Sequence, residues 1–461
     1  MAQHLSTDSL SSSTPPVPSF PHDPVVFRFA AITITLSQLR YLTFSLIGIA
    51  LLWPWNAFLS ASAYYGERFS HTLSLIKIYS STMMTVSTLT STVYTYYLSQ
   101  VQKGVNYRAR IYMGLSLTVG VFVVMAFSCI SWWFITMEDT VFFVGLMAMV
   151  FMASIATGLA QNGTMATVNV LGSIYANAVM VGQAIAGVLP SIALIISILV
   201  VGEHTTEASG PRKDYGVFVY YITASLVALV SMSLLWWVNV YKSHNQYRLL
   251  NETLEGEQSI DSSANDVDEP EIQQNYVSFG VLWSKLKFIV SSIFFTFAVT
   301  LIFPVFASTV ESVNYDSNFR LFKKDIFIPF SFLVWNLGDL LGRIWCGAPG
   351  SRFLINKPSK LITYSLARLV FIPLFLTCNI HPYTSASQSS ALINSDLWYL
   401  MLQMLFGLSN GQLCTSCFMI VGNFCDTDDE KEAAGGFTAV FLSVGLAFGS
   451  VFSYLLVIAI N

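Results

Sequence analysis

The sequence predicts an all-α polytopic membrane protein, and two observations support this fold class. Hydrophobic residues make up 54% of the 461 positions and charged residues only 10%, with a mean hydropathy of +0.61. A soluble globular chain carries charge at about 25% of its positions. The second observation is a series of apolar stretches of about twenty residues, the length of a helix that crosses ~30 Å of hydrocarbon.

Eleven apolar stretches follow one another along the chain, and each predicts a membrane-spanning helix. Their approximate cores are residues 41–64, 78–98, 111–135, 141–161, 174–201, 216–241, 286–309, 325–347, 360–380, 396–421 and 435–460.

Two polar segments divide these stretches into domains. Residues 1–40 are rich in Ser and Pro and lack a signal sequence, so we expect a disordered cytosolic tail. Residues 243–285 are rich in acidic side chains and separate six stretches from five. The predicted organisation is a six-helix bundle over residues 41–242, an acidic cytosolic linker over 243–285, and a five-helix bundle over 286–461.

The distribution of lysine and arginine predicts the orientation in the membrane. More of these residues fall on the side of the N-terminus than on the opposite side, which favours a cytosolic N-terminus. Because the predicted number of helices is odd, the C-terminus is expected on the opposite side.

A carboxylate and a guanidinium interrupt the eighth apolar stretch. Asp339 and Arg343 are four residues apart and lie on one helix face, and Asn336 lies about one turn earlier on that face. Charges inside a membrane helix are costly unless they are paired or face a water-filled cavity. The three side chains therefore predict a binding site for an uncharged solute rich in hydroxyl and amide groups. An ion pair that only helps helices to pack is the alternative.

Polar residues in other helices are further candidates for the solute pathway. Thr88 and Thr92 belong to a line of hydroxyl groups on the second predicted helix, and Asn410 to a similar polar line on the tenth. Helix packing explains the hydroxyl line equally well. Gln161, on the fourth helix, is the stronger candidate, since a carboxamide can pair bidentately with the edge of a nucleobase.

Several classes of protein are disfavoured by the sequence. It contains no GxxxxGK[ST] loop for ATP phosphates, no constellation of catalytic residues, and no basic patch typical of nucleic-acid binding. Cys414 and Cys417 form a CxxC pair without the further ligands of a zinc site. We therefore expect neither an enzyme nor a metal or cofactor.

The chemistry of Asp339 bears on whether transport is coupled to protons. It is the one carboxylate predicted well inside a helix, and Arg343 beside it favours the charged form. The six histidines lie in tails, loops or near predicted helix ends. These features favour passive, gradient-driven exchange, with proton coupling as the alternative.

The first helices of the two halves are similar to each other. Leu51–Ala57 reads LLWPWNA and Leu301–Ala307 reads LIFPVFA, with proline at the same place. Related halves with proline-interrupted helices are common in secondary transporters, whose substrate site lies between the halves. An ordinary kink is the alternative explanation for each proline.

Six motifs in order resemble the equilibrative nucleoside transporters. They are Leu52-Trp53-Pro54-Trp55-Asn56, Gln161 with Tyr175 and the GQAIAG run from Gly182, WNLGDLLGR from Trp335, Ala367–Leu374, Ser409-Asn410-Gly411, and Glu432–Gly435. The resemblance extends from about Tyr41 to the C-terminus, apart from the linker. Trp53 departs from the family pattern, which often has leucine there, and this puts inhibitor sensitivity in doubt.

The resemblance implies a fold and an activity. Members have eleven helices in a six-plus-five arrangement similar to the major facilitator superfamily, and they move purine and pyrimidine nucleosides by alternating access. The LLWPWN and DDEKEAAGGFT runs look most like the fungal branch, which is associated with the vacuolar membrane. We therefore expect a carrier, monomeric in the lipid bilayer, of a vacuolar or other intracellular membrane. A carrier of another small polar solute, such as a sugar or drug cation, remains an alternative.

The resemblance also implies roles for individual residues. Arg343 would contact the ribose hydroxyls with Asp339 beside it, and Gln161 would meet the base. The apolar wall would come from the first helix, with Trp55 stacking near the nucleoside and Leu52 and Leu59 lining the pocket. Arg368, a second cation inside the membrane, is expected to be structural and to pair with a carbonyl or carboxylate.

Overall fold

Helices make up most of the part of the chain that the structure describes. The computed structural model describes residues 25–29, 32–201, 213–257, 275–315, 317, 319–380 and 392–460. The first half contains α1 (Leu36–Ser60), α2 (Ser62–Arg68), α3 (Leu73–Gln100), α4 (Tyr107–Ile130), α5 (Trp132–Ile135), α6 (Asp139–Leu171), α7 (Ser173–Val201) and α8 (Tyr215–Glu257).

The second half begins after the linker and is also helical. It contains α9 (Phe279–Thr300), α10 (Ile302–Thr309), α11 (Lys324–Gly347), α12 (Pro358–Ala367), α13 (Phe371–Phe375), α14 (Asp396–Ile420) and α15 (Asp428–Ile460). Short 3₁₀ turns occur at Arg320–Phe322, Arg368–Val370 and Val421–Phe424.

Polar side chains mark where several helices begin. Asn106 accepts a hydrogen bond from the backbone N–H of Ala109 at the start of α4, and Ser278 does the same for Val281 at the start of α9. Ser395 caps α14. Each cap satisfies a backbone donor that has no partner within the helix, so the sequence itself fixes these helix starts.

Within the described residues, nine helical segments are long and apolar enough to cross a membrane. They include α1, α4, α6, α7, α8, α11, α14 and α15, and the ninth combines α9 with α10. The protein is therefore a multi-pass membrane protein. The two remaining predicted spans correspond to α3, which is rich in Ser and Thr, and to the short helices α12 and α13. The nine segments are compatible with eleven spans, and that count stays a prediction.

The ninth predicted span is not the continuous helix that the sequence analysis expects over residues 360–380. Helix α12 ends at Ala367, a 3₁₀ turn covers Arg368–Val370, and α13 ends at Phe375. Two features accompany this break. Pro373 lacks the backbone N–H that a continuous helix would use. The buried Arg368 side chain donates hydrogen bonds to backbone carbonyls of α9 and α14.

The predicted disordered tail is wrong for part of residues 1–40. Strand β1 (Val25–Phe29) pairs antiparallel with β2 (Ile32–Thr35), with an irregularity between Val25 and Phe27, and α1 begins at Leu36 rather than at residue 41. All residues of the two strands except Arg28 are β-branched or aromatic, and these types favour strands. Residues 1–24 lie outside the described part of the chain.

The predicted linker of residues 243–285 is shorter in the structure. Helix α8 continues to Glu257 and α9 starts at Phe279, while residues 258–274 are outside the described part. Just before α9, the side chain of Gln102 pairs with the backbone of Val277 in both directions. Its Nε2 donates to the Val277 carbonyl at 3.1 Å, and the Val277 N–H donates to its Oε1 at 2.9 Å.

Helix packing defines two halves and the interface between them. Within the halves, α4 packs on α6 and α8, and α11 packs on α14. Between them, α7 packs against α11 and α14, and α15 packs against α3 and α6.

Three apolar clusters show how the halves meet. The first contains residues of both halves, including Ile47 and Met180 from one and Leu286 and Phe437 from the other, and lies toward the end that carries the linker. The second lies entirely within the first half, around Phe58 and Phe122. The third lies entirely within the second half, around Phe306, Phe375 and Phe406. The shared core is thus at the linker-bearing end.

Candidate substrate site

The predicted pairing of Asp339 with Arg343 is present in α11. Arg343 Nε lies 2.9 Å from Asp339 Oδ2, and both residues are buried, with only 6% and 3% of their surface exposed. Removing one partner of such a pair leaves an uncompensated buried charge, which costs about 3–5 kcal/mol. The two residues therefore form one electrostatic unit.

Helix α14 supplies the second partner of Asp339. Asn410 Nδ2 donates to Asp339 Oδ1 at 2.7 Å, and Asn410 Oδ1 accepts from the Thr300 hydroxyl of α9 at 2.5 Å. Each carboxylate oxygen thus faces a different donor. The sequence predicts Asn410 but not Thr300, because Thr300 is one hydroxyl residue among many in the sequence.

Helix α7 of the other half supplies the partners of Arg343. Its Nη1 donates to the Met180 carbonyl at 2.8 Å, and Asn177 Nδ2 donates to the Arg343 carbonyl, also at 2.8 Å. The Tyr41 hydroxyl of α1 donates to Asn177 Oδ1. Sequence reasoning missed Asn177 and Met180; the only signal was a carboxamide inside an apolar stretch. The charged pair consequently lies where the two halves meet.

Glycines bring α11 and α14 close enough for the Asp339–Asn410 contact. A Cβ atom added to Gly407 would lie 2.1 Å from the carbonyl oxygen of Trp335. A Cβ atom added to Gly411 would lie 2.0 Å from the carbonyl oxygen of Asp339. On α11, a Cβ at Gly338 or Gly342 would meet the α14 backbone at 2.4 Å. Small residues at four-residue spacing let membrane helices approach closely. Here they set the distance across which Asn410 reaches the carboxylate.

Asn336 lies one turn before the pair and contacts α7. Its Nδ2 donates to the Phe332 carbonyl at 2.8 Å and approaches Ser191 Oγ at 3.3 Å. A Cβ added to Gly187 would lie 2.5 Å from Asn336 Oδ1. The glycine at the end of the GQAIAG run therefore makes room for this side chain.

The first helix presents two different faces. Leu52, Trp55 and Leu59 share one face; the first two are partly buried, and Leu59 is 42% exposed. Trp53 lies on another face and is buried, with its Nε1 donating to Thr223 Oγ1 at 3.2 Å and its ring stacked on Tyr220. The residue that departs from the family pattern thus packs inside the first half.

Gln161 is partly buried on α6, and its side chain has no hydrogen bond to another residue in the described part of the chain. Its neighbour Asn162 accepts a hydrogen bond from Arg110, which also donates to the carbonyls of Leu98 and Val101. Arg110 is a buried cation of the first half that the sequence does not single out. Carbonyl and amide oxygens compensate it.

The hydroxyl line of α3 uses its own helix. Thr92 Oγ1 donates to the Thr88 carbonyl at 2.9 Å, and both residues are partly buried. Among the described residues, neither Thr88 nor Thr92 is hydrogen-bonded to Asp339 or Arg343.

Arg368 is fully buried in the second half. Its Nε donates to Ser409 Oγ at 3.1 Å, its Nη1 to the Thr296 carbonyl at 3.2 Å, and its guanidinium lies over the Phe406 ring at 4.6 Å. The expectation that it pairs with a carbonyl is confirmed. Arg368 ties α9 to α14 around the break between α12 and α13.

The fold defines the class of this protein: a multi-pass membrane protein with the major facilitator fold. The proton:xylose symporter XylE of that superfamily aligns with a TM-score of 0.56 over 91% of this chain and 88% of its own, at 11% identity. This likeness establishes the fold alone.

The chain belongs to the nucleoside transporter family. The family model described as nucleoside transporter matches residues 146–458. Nucleoside transporter FUN26 of Saccharomyces cerevisiae is 38% identical over 92% of this chain and 85% of its own length. Equilibrative nucleoside transporter 1 of Homo sapiens is 27% identical over 90% and 96%.

Proposed function

We propose that this protein carries purine and pyrimidine nucleosides down their concentration gradient by alternating access, with the substrate held between the two halves. The observation that carries the proposal is the buried Asp339–Arg343 pair, which contacts Asn410 of α14 and Met180 of α7 at the interface of the halves. The names of the similar yeast and human proteins support nucleosides as the substrate class.

The ribose is expected to bind at the charged pair. A nucleoside is neutral and loses water from its hydroxyls on entry, so each hydroxyl needs a new partner. A hydrogen bond from the Arg343 guanidinium contributes about 1.5–3 kcal/mol, and Asp339 offers an acceptor. Asn336, one turn away and already directed toward α7, offers a further amide.

The base is expected to bind on the side of the first half. Gln161 is partly buried without a protein partner for its carboxamide among the described residues, which suits a polar base edge. Trp55, Leu52 and Leu59 share one face of α1 and supply apolar surface. Thr88, Thr92 and Asn410 remain candidates for the lining of the pathway.

The arrangement of apolar clusters supports alternating access. The halves share one cluster at the linker-bearing end and have separate clusters toward the other end. Among the described residues, the Asn336–Ser191 contact is the hydrogen bond between halves that lies farthest from the linker. This arrangement corresponds to a carrier closed at the linker side.

Uptake into proteoliposomes tests the proposal. Labelled uridine and adenosine are offered to the wild type, Arg343→Ala, Arg343→Lys and, as a control, Arg320→Ala, whose side chain is about half exposed before α11. We expect saturable uptake that is equal at pH 5.5 and 7.5 without a proton gradient and is lost in both Arg343 variants. Lysine fails because a point charge lacks the planar fork that reaches two acceptors.

Other results would contradict parts of the proposal. Uptake only under an inward proton gradient would make this a proton-coupled transporter, and no uptake of either nucleoside would assign the carrier to another small polar solute. Normal uptake by Arg343→Lys would move the ribose site elsewhere.

We also propose a cytosolic N-terminus, a C-terminus on the opposite side, a monomeric state, and residence in a vacuolar or other intracellular membrane. The bias of lysine and arginine supports the orientation. Protease protection of tags at the two termini in isolated vacuoles tests orientation and compartment together.

A further inference from the structure

Thr300 occupies a special place in the second half. It is the last residue of α9, directly before the break at Leu301 that precedes α10, and it is partly buried. Its hydroxyl oxygen lies 2.5 Å from Asn410 Oδ1 and 2.6 Å from the carbonyl of Thr296 on its own helix. One hydroxyl proton therefore has two acceptors to choose from.

The surrounding contacts decide where that proton goes. The Thr296 carbonyl already accepts from Arg368 Nη1 at 3.2 Å. Asn410 Oδ1, in contrast, has the Thr300 hydroxyl as its one hydrogen-bond donor among the described residues. The other end of the carboxamide, Asn410 Nδ2, donates to Asp339 at 2.7 Å. The Thr300 hydroxyl therefore stabilises the structure most when it donates to Asn410 Oδ1, because that carboxamide oxygen would otherwise be unpaired.

The hydroxyl also holds the Asn410 carboxamide in the orientation that presents its NH₂ group to Asp339. With the donor at Thr300, the oxygen of Asn410 turns to α9 and the NH₂ group turns to the carboxylate. Without that donor, the carboxamide oxygen is left unpaired and the side chain is held at its NH₂ end only, so it can rotate away and leave Asp339 Oδ1 without its second partner. Asp339 would then rearrange around Arg343.

We propose that Thr300 is a positioning residue for the ribose site, acting through Asn410 on the Asp339–Arg343 pair. This inference rests on the proposed function and adds a specificity determinant to it. Thr300 does not touch the substrate. It orients the carboxamide that holds Asp339, and so sets how the pair presents itself to the 2′-hydroxyl.

Thr296 supplies a matched control on the same helix. It lies one turn before Thr300 and is fully buried, and its hydroxyl has no hydrogen-bond partner among the described residues. Thr→Val exchange conserves shape and removes a hydroxyl at both positions. A difference between the two variants therefore reports the hydrogen bond rather than the loss of a polar group from α9.

The experiment measures KM and maximal uptake rate for uridine and 2′-deoxyuridine in proteoliposomes, normalised to the amount of reconstituted protein. For Thr300→Val we expect a uridine KM raised roughly five-fold, the scale of one neutral hydrogen bond, and a smaller preference for uridine over 2′-deoxyuridine. Thr300→Ser, which keeps the hydroxyl, and Thr296→Val should both retain the wild-type KM and preference.

Three outcomes would overturn the inference. The first is a wild-type uridine KM and preference in Thr300→Val. The second is an equal change of KM in Thr300→Val and Thr296→Val, which would show that the effect comes from packing and not from the hydrogen bond. Lack of nucleoside uptake by the wild type would remove the proposed function as well, which separates the two failures. Thr300→Ala against Thr300→Ser gives the same comparison should the valine variant fold poorly.

Discussion

Arg343 contacts both halves of the protein through one side chain. It pairs with Asp339 on its own helix and donates to the Met180 carbonyl of α7. A ribose hydroxyl that takes the place of the Met180 carbonyl would weaken a bond between the halves at the moment of binding. Under the proposed function, substrate recognition and contact between the halves would therefore use the same guanidinium.

Loss of the 2′-hydroxyl is expected to reduce transport. The hydroxyl exchanges water for a charge-assisted hydrogen bond worth about 1.5–3 kcal/mol, so its removal should raise the KM roughly ten-fold or more. Competition of unlabelled uridine and 2′-deoxyuridine against labelled uridine measures this difference. Equal inhibition by the two compounds would show that the ribose does not depend on Arg343 in this way.

At the scale of residues, the sequence predicts contacts that form within one helix. The pairing of Asp339 with Arg343 follows from a spacing of four in a helix. The partners Met180, Asn177 and Thr300 come from helices far away in sequence, and no periodicity predicts which residues of two helices meet. Asn410 is predictable because it belongs to a polar line on its own helix.

At the scale of elements, the contact between α11 and α14 depends on glycines rather than on interlocking side chains. Gly407 and Gly411 of α14 face the backbone of α11, and Gly338 and Gly342 face back. Any side chain here must push the helices apart, and the Asn410–Asp339 hydrogen bond lengthens with them.

Gly411→Ala is expected to destabilise the protein and to reduce uptake. The added Cβ would lie 2.0 Å from the Asp339 carbonyl oxygen, an overlap that costs about 1–3 kcal/mol when the backbone shifts. Gly120→Ala in α4 is the control, because an added Cβ there meets nothing within 4 Å. Thermal unfolding in detergent and uridine uptake are measured for both variants. Equal melting temperatures would refute the close-packing argument.

Apolar length predicted most helices, while their ends and breaks depended on contacts. Helix α6 runs on to Leu171, ten residues beyond the predicted core, because its end packs between the halves. The break at Arg368 arises from carbonyl partners on α9 and α14, and the β1–β2 hairpin from a short run of β-branched and aromatic residues inside a Ser- and Pro-rich segment. Composition averaged over the tail concealed that pattern.

At the scale of the whole molecule, the halves are joined at one end. Asn169 of α6 donates to the Lys431 carbonyl of α15 at 3.1 Å, and a Cβ added to Gly435 would lie 2.5 Å from the Ala166 nitrogen. These contacts belong to the end of the shared apolar cluster. Alternating access requires them to separate in each transport cycle.

A disulfide across this end is expected to stop transport reversibly. A Cβ at Gly436 would lie 3.2 Å from the Ser99 Cβ, close to the separation of about 3.5–4.5 Å in disulfides. The double variant Ser99→Cys, Gly436→Cys should lose uptake on oxidation and regain it on reduction, while each single variant stays active. The native cysteines are all buried and unpaired, which limits side reactions. Full uptake by the cross-linked protein would contradict alternating access at this end.

The double hydrogen bond between Gln102 and Val277 determines how the acidic linker acts mechanically. It anchors the chain to the loop after α3, so Ser278, the cap of α9, is the only residue between that anchor and the second half. Tension applied to the linker upstream is borne by this anchor before it reaches α9. Under the proposed alternating access, we therefore expect the hinge between the halves on this route to be Ser278 alone, whatever the length of the segment before it.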